Sequence, residues 1–376
     1  RQHIIAEDEI KHADETIANY TRAGFPVGVV STMRTKALVL YDKGQAAAAV
    51  QTFYRLLEFA RNVPGQLGIE VVYSHLDFGL VLYALNRIAE ARQQFELLLE
   101  ASRRINDQAF SLSATQWLQL CSHALNPQLP TDQTNLAQEE ASLCEIFATR
   151  SPALAWHACR ASVMRRLSEH NPAGAWAAIQ CTHFNVHQEP APGKLMMFVI
   201  YAHAYLARGR ALGALVPHLG RWEALLEGKA NLIPLKIQFR ILAALLYSTQ
   251  GNHMGARKAL DEALTLIAQS GYVRFALDYA ELLRPLLERS SQPLAQSILA
   301  EAETVKQGQA APLLSEVELR VLRHVAAGAT RQETAATLFL SENTIKTHLK
   351  RIYGKLGAAS RDAALAKART LGLLDA

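Results

Sequence analysis

Between Asn343 and Gly354 the run NTIKTHLKRIYG carries its hydrogen-bonding groups at helical spacing. On a wheel of 100° per residue, Asn343, Lys346, Thr347, Lys350, Arg351 and Gly354 share one side, with no bulky side chain at its centre. An amide, a hydroxyl, two ammonium groups and a guanidinium are donors suited to phosphate oxygens and to the acceptors on base edges. A helix with so flat a stripe fits the major groove of a duplex. The opposite face, Ile345, Leu349, Ile352 and Leu356, is apolar and must be buried.

Short helices are needed to hold that stripe outward. Ser315 with Glu318, and Thr330 with Glu333, form two capping boxes, so helices start near 316 and 331. Gly328 supplies the left-handed residue that stops the first of them, two residues before the next begins. Phe339 and Leu340 turn the chain into a third helix capped by Ser341 and closed by Gly357. Ser360 caps a fourth, whose small residues Ala363, Ala364 and Ala368 are a candidate contact between two copies.

With these residues the segment 313–376 resembles the DNA-binding domain of the LuxR family. Matching positions include Leu314, Ser315, Glu318, Val321, Leu322, Gly328, Glu333, Ala335, Leu338, Ser341, Thr344, Ile345, Lys346, His348, Ile352, Lys355, Leu356, Arg361 and Ala364. Val317, Arg320, Arg331 and Thr334 depart from the usual Arg, Glu, Asn and apolar residue. The resemblance implies a helix-turn-helix domain in which Lys346, Thr347 and Lys350 meet base edges, while Thr344, His348, Arg351 and Lys355 sit nearer phosphates. Asn343 belongs to the same stripe, and Arg331 joins the set from its place in the first turn of the second helix. Implied partners are double-stranded operator DNA, further copies of the chain on DNA, and RNA polymerase if the regulator is an activator.

The charge follows the same division. Of a net charge of +5, residues 313–376 hold ten Lys and Arg against six Asp and Glu, whereas the other 312 residues carry 29 against 28. The excess sits on the segment with the stripe, which favours nucleic acid over a membrane surface. Cys121, Cys144, Cys159 and Cys181 form no C-x-x-C pair and stand in apolar helical contexts. They read as buried thiols, without a disulfide framework or a zinc site, in a cytoplasmic protein. The apolar run near Leu195–Ala207 is too short to span a bilayer. No phosphate-binding loop, H-E-x-x-H or G-x-S-x-G motif is found, and the histidines are scattered. The chain is read as no enzyme, with no catalytic residues, no metal and no cofactor of its own.

Upstream of 312 the sequence predicts only helices. LVLYDKGQAAAAVQTFYRLLE at 38–58 aligns with LVLYALNRIAEARQQFELLLE at 80–100, and the frame continues in pairs twelve residues apart. These are Ala37 with Ala49, Gly79 with Ala91, Val163 with Ala175, Ala202 with Ala214 and Ala244 with Ala256; Cys121 with Gln133 is degenerate. The pairs resemble the small positions where the two helices of a tetratricopeptide hairpin touch. The fold class is therefore all-α: a superhelical array of about six tetratricopeptide-like hairpins plus a small four-helix LuxR-type helix-turn-helix domain. Boundaries fall at 1–289 for the array, 290–312 for a connecting helix and linker, and 313–376 for the DNA-binding domain. Tyr272–Arg289 reads as one amphipathic helix.

Trp117 and Phe198 take core positions of the frame. By resemblance, Arg34, Tyr73, Tyr83, His157, Arg160, His203 and Gln238 line the concave side, a mixture suited to a small polar effector or a peptide. In the larger LuxR-family regulators of this build an ATP-binding module precedes the array. Arg1 without a preceding Met reads as the start of the carboxyl part of a longer protein. The function expected is DNA-binding transcriptional regulation with effector sensing in the array. The alternative is a protein-interaction scaffold whose terminal domain binds no DNA.

Overall fold

A computed structural model describes the chain apart from residues 1–6, 64–66, 127–135, 150–151, 192–193, 210–214, 230, 307–313, 315, 339–341, 357, 359, 371–373 and 375–376. The helical side chains of 7–9, 136–137, 149, 152–154, 305–306, 316, 343, 351, 354–355 and 370 also lie outside the description. The described residues form helices and no strand, in two compact units, Arg1–Gln309 and Ala310–Ala376.

In the first unit, α1 (Glu7–Arg22) precedes six hairpins. They are α2 (Pro26–Asp42) with α3 (Ala46–Arg61), α4 (Gly68–Ala84) with α5 (Ile88–Arg104), and α6 (Gln108–Leu125) with α7 (Leu136–Thr149). The series continues with α8 (Pro152–Ser168) and α9 (Pro172–Gln180), α10 (Leu195–Ala207) and α11 (Val216–Glu223), and α12 (Ile233–Thr249) and α13 (His253–Ser270). Among the described residues, the first helix of five of these hairpins is followed by a residue with positive φ: Gly44, Asn86, His170, Gly209 and Gly251, at 57–77°. That left-handed residue lets the chain reverse at once, and glycine or asparagine takes it at least cost. Asn171 and Asn252 then cap the helices that follow, their side chains accepting from Gly174 N at 2.8 Å and Gly255 N at 2.9 Å.

The described small residues of the repeat frame lie inside the array. Ala37, Ala49, Gly79, Ala91, Cys121, Val163, Ala175, Ala202, Ala244 and Ala256 are all buried; Gln133 and Ala214 lie outside the described residues. Trp117 and Phe198 are core, stacked on Phe95 and Trp222 with ring centroids 5.4 Å and 5.0 Å apart. The array also returns on itself. A Cβ placed on Gly44, in the first hairpin, would stand 3.4 Å from Ser270 Cβ and 3.5 Å from Ile233, both in the last.

Two expectations are corrected. Tyr272–Arg289 is not one helix but α14 (Arg274–Leu277) and α15 (Ala280–Leu287), broken at Tyr279, whose φ is −119°. At the break, Asp278 accepts from Arg274 Nε at 2.5 Å and from the Tyr83 hydroxyl at 3.0 Å, and Tyr279 turns toward α10. The cysteines are not four thiols: Cys144 of α7 and Cys181 after α9 form a disulfide, with Cα atoms 4.7 Å apart. Only Cys121 and Cys159 are free, and both are buried. A separation of 37 residues gave no cue that α7 and the end of α9 are neighbours. The unit ends with α16 (Pro293–Lys306).

The second unit comprises α17 (Glu316–Ala326), α18 (Arg331–Leu338), α19 (Glu342–Leu356) and α20 (Arg361–Thr370) around Leu314, Val321, Leu322, Ala335, Ile345, Ile352, Leu356, Ala364 and Ala368.

Close helix approach in the array is testable at Gly79. A Cβ there would meet Phe95 ring atoms at 2.5–2.9 Å, and that ring is held by Trp117. Gly79→Ala should therefore destabilise the chain despite a gain of about 1 kcal/mol in helix propensity, because overpacking costs about 1–3 kcal/mol. A lower urea midpoint is expected, and a raised one would contradict the tight crossing.

Candidate nucleic-acid interface and the inner face of the array

The second unit positions α19 through local chemistry. Glu333 accepts from the backbone N–H of Thr330 at 2.8 Å and from its hydroxyl at 2.9 Å, while Glu333 N donates back to Thr330 Oγ1 at 3.2 Å. These hydrogen bonds favour the carboxylate and hold its pKa below the usual value. Gly328 has φ +87°, ending α17, and Ser360 accepts from Ala363 N at 3.2 Å. Thr334, where the LuxR pattern is apolar, is buried without penalty because its hydroxyl donates to Thr330 O at 2.8 Å. Arg361 ties the start of α20 to the end of α17 by donating to Val325 O at 2.7 Å. Ser315, Ser341 and Gly357 lie outside the described residues.

Ile345, Ile352 and Leu356 are buried and Leu349 is half-buried, as the apolar face requires. On the opposite side Lys346 and Lys350 are exposed one turn apart, Thr344 and Thr347 are half-buried, and Arg331 is exposed at the start of α18. The side chains of Asn343, Arg351 and Lys355 are outside the description. His348, expected near phosphates, is only 7% exposed. The small face of α20 is corrected. Ala364 and Ala368 are fully buried in the domain's own core, so of the three only Ala363 is exposed.

The seven residues expected to line the array do not form one open surface. Tyr83 (1% exposed), His203 (2%) and Gln238 (5%) are buried, and Gln238 bonds within its own helix to Pro234 O at 3.0 Å. Arg34, Tyr73, His157 and Arg160 are half-buried. Arg34 pairs with Asp77 at 2.9 Å and lies 4.8 Å from the Tyr73 ring centroid. Tyr83 and His203 are engaged by the segment that follows the array. Tyr83 donates to Asp278, and the His203 ring stacks on Tyr279 at 3.9 Å with Nδ1 2.8 Å from its hydroxyl. Tyr272 OH donates to Tyr41 O at 2.8 Å, and Phe275 packs under Arg160 at 5.5 Å. Residues 272–279 thus sit against α2, α4, α8 and α10 together. Sequence spacing carried no signal for contacts 76 to 231 residues apart.

Burial first, and the charge of Arg160 second, push His157 down to about 4 and His203 down to about 3. Among the described residues no group of His, Cys, Asp and Glu could hold a metal ion, and no helix is long and apolar enough to cross a membrane.

A short helix pair leading into a helix with an exposed basic row defines a helix-turn-helix nucleic-acid-binding domain. Residues 312–368 match the family described as bacterial regulatory proteins, luxR family, and the chain belongs to that family. It is 33% identical over 70 residues to the spore germination protein GerE of Bacillus subtilis, covering 95% of that protein and 19% of this chain. It is 45% identical over 65 residues to the probable transcriptional regulatory protein NarL of Mycobacterium tuberculosis, 17% of this chain and 30% of NarL. To the HTH-type transcriptional regulator MalT of Klebsiella pneumoniae it is 27% identical over 163 residues, 35% of this chain. The chain spans only 18% of MalT's length.

The buried histidines give the array a pH signature. An unfolded histidine takes up its proton near 6.5, so the stability each contributes is complete above that pH and is lost as pH falls toward the folded value. Asp42, raised to about 6 by burial, works the other way. The test is therefore a difference: the gap in Tm between the parent and His203→Gln should narrow as pH falls from about 7 to about 5. A constant gap would contradict a neutral, buried His203.

Proposed function

We propose that this chain is a DNA-binding regulator of transcription: the second unit lays α19 in the major groove of operator DNA, and the helical array senses an effector. The observation that carries the reading is that Lys346 and Lys350 form an exposed row on α19, opposite the face that Ile345, Ile352 and Leu356 bury in the domain core, inside the segment that matches the luxR family. The names of the relatives support it, since NarL and MalT are both named as transcriptional regulators.

In this reading Lys346, Lys350 and Thr347 approach base edges, and Arg331 and Thr344 meet the backbone from the first turns of α18 and α19. Asn343, Arg351 and Lys355 extend the same stripe by their positions in α19. One such module neutralises few phosphates, so assembly of several copies on DNA supplies the remaining affinity. Effector binding alters operator affinity only through a difference in affinity for two conformations of the array. No catalytic step, metal or cofactor is part of the proposal.

Selection from a random duplex pool with the full chain should enrich a defined motif. On that motif Lys350→Ala should cost about 1–3 kcal/mol and relax preference at one base pair. Arg331→Ala should instead weaken all sequences alike and make binding less sensitive to salt. Both are read by fluorescence anisotropy at several salt concentrations. Absence of any salt-dependent duplex binding would overturn the reading and favour a scaffold.

A further inference from the structure

Among the described residues, the inner face of the array holds a cation with no acid paired to it. Arg34 is matched by Asp77 at 2.9 Å and Arg274 by Asp278 at 2.5 Å. Arg160 has no acid within ion-pair distance among the described residues and lies over two rings instead, Phe275 at 5.5 Å and Trp117 at 5.7 Å. Asp278, close by on the chain from Phe275, is already committed to Arg274 and Tyr83. A half-buried guanidinium flanked by rings keeps an electrostatic demand that the rings satisfy only in part.

His203 adds a directional donor beside it. The Tyr279 hydroxyl stands 2.8 Å from both Met164 Sδ and His203 Nδ1. It has one proton, and an imidazole nitrogen is a stronger acceptor than a thioether, so the proton points to Nδ1. The neutral ring then carries its own hydrogen on Nε2, which is buried and meets no acceptor among the described residues. Arg160 over Phe275 and His203 on Tyr279 are neighbours through this one segment, close enough for the Arg160 charge to act on the imidazole.

We infer that this part of the inner face binds a small organic anion, its carboxylate or phosphate group held by the fork of Arg160 and by His203 Nε2–H, with the Phe275 ring against its carbon skeleton. Arginine suits the role because its planar donors match both anions in a two-point contact. The inference names the effector class for the array and so rests on the sensing role proposed above, but its test needs no DNA.

The full chain is titrated by calorimetry and thermal shift with succinate, glucose 6-phosphate and, as the uncharged control, glucose, all at one ionic strength. Saturable binding of one anion per chain is expected, succinate marking a carboxylate site and glucose 6-phosphate a phosphate site, with no response to glucose. Arg160→Gln should weaken that binding at least about tenfold. Arg240→Gln, whose guanidinium is already paired with Glu223 and Glu262, should leave it unchanged. Should Arg160→Gln fail to fold by circular dichroism, Arg160→Lys, which keeps the charge without the fork, must still weaken binding severalfold. Saturation by neither anion, or equal affinity in the Arg160 variant, overturns the site. Failure here with duplex binding intact removes the anion and leaves the DNA reading standing.

Discussion

Close approach of paired helices is the constraint on which the array depends. Along α2, α3, α4 and α5 the small residues Ala37, Ala49, Gly79 and Ala91 are buried, and the Phe95 ring stands where a Cβ on Gly79 would be. Small side chains at the crossing let each hairpin be thin enough to stack, and stacking is what buries the apolar faces that no single hairpin could cover. The left-handed residues after the first helices fix the other parameter, the sharpness of the reversal. With both repeated at nearly the same interval, the hairpins turn steadily until Gly44 meets Ser270 and Ile233.

A curved array of this kind encloses an inner face, and its polar groups have to be answered. Part of the answer comes from the chain itself. Tyr272, Phe275, Asp278 and Tyr279 reach four different inner helices, tying residues from the first hairpin to those of the fifth. The break falls at two of these residues, Asp278 turned to Tyr83 and Tyr279 to His203. Arg165 and Arg166, both buried, are answered in the same way by Glu139 and Glu140 of α7 at 2.6 Å and 3.0 Å. Buried charges there hold α7 in register rather than offering a site.

Much of this was legible in the sequence, and what escaped it shares a physical reason. Local features read directly: the box at Thr330 and Glu333, the stop at Gly328, the apolar face of α19 and the twelve-residue pairs are all set by residues a few positions apart. Positions that depend on distant partners did not. Tyr83 and His203 fall at groove positions of the repeat, but burial by Asp278 and Tyr279 is decided by a segment outside the repeat. His348 is placed by resemblance and the small residues of α20 by their size, and neither ground tells how deeply the packing of the domain buries them. Cys144 and Cys181 meet because α7 folds back against α9, at the one hairpin where the repeat frame is degenerate. The basic row of α19 was readable because its demand is simple: exposure opposite a core face.

The central claim is that α19 reads the major groove, and methylation interference on a selected duplex tests it most directly. Dimethyl sulfate marks guanine at N7 in the major groove and adenine at N3 in the minor groove, so one reaction probes both sides. The account requires that methylated guanines within the motif block binding of the full chain while methylated adenines do not. Interference confined to adenine N3, or none at all, would contradict it.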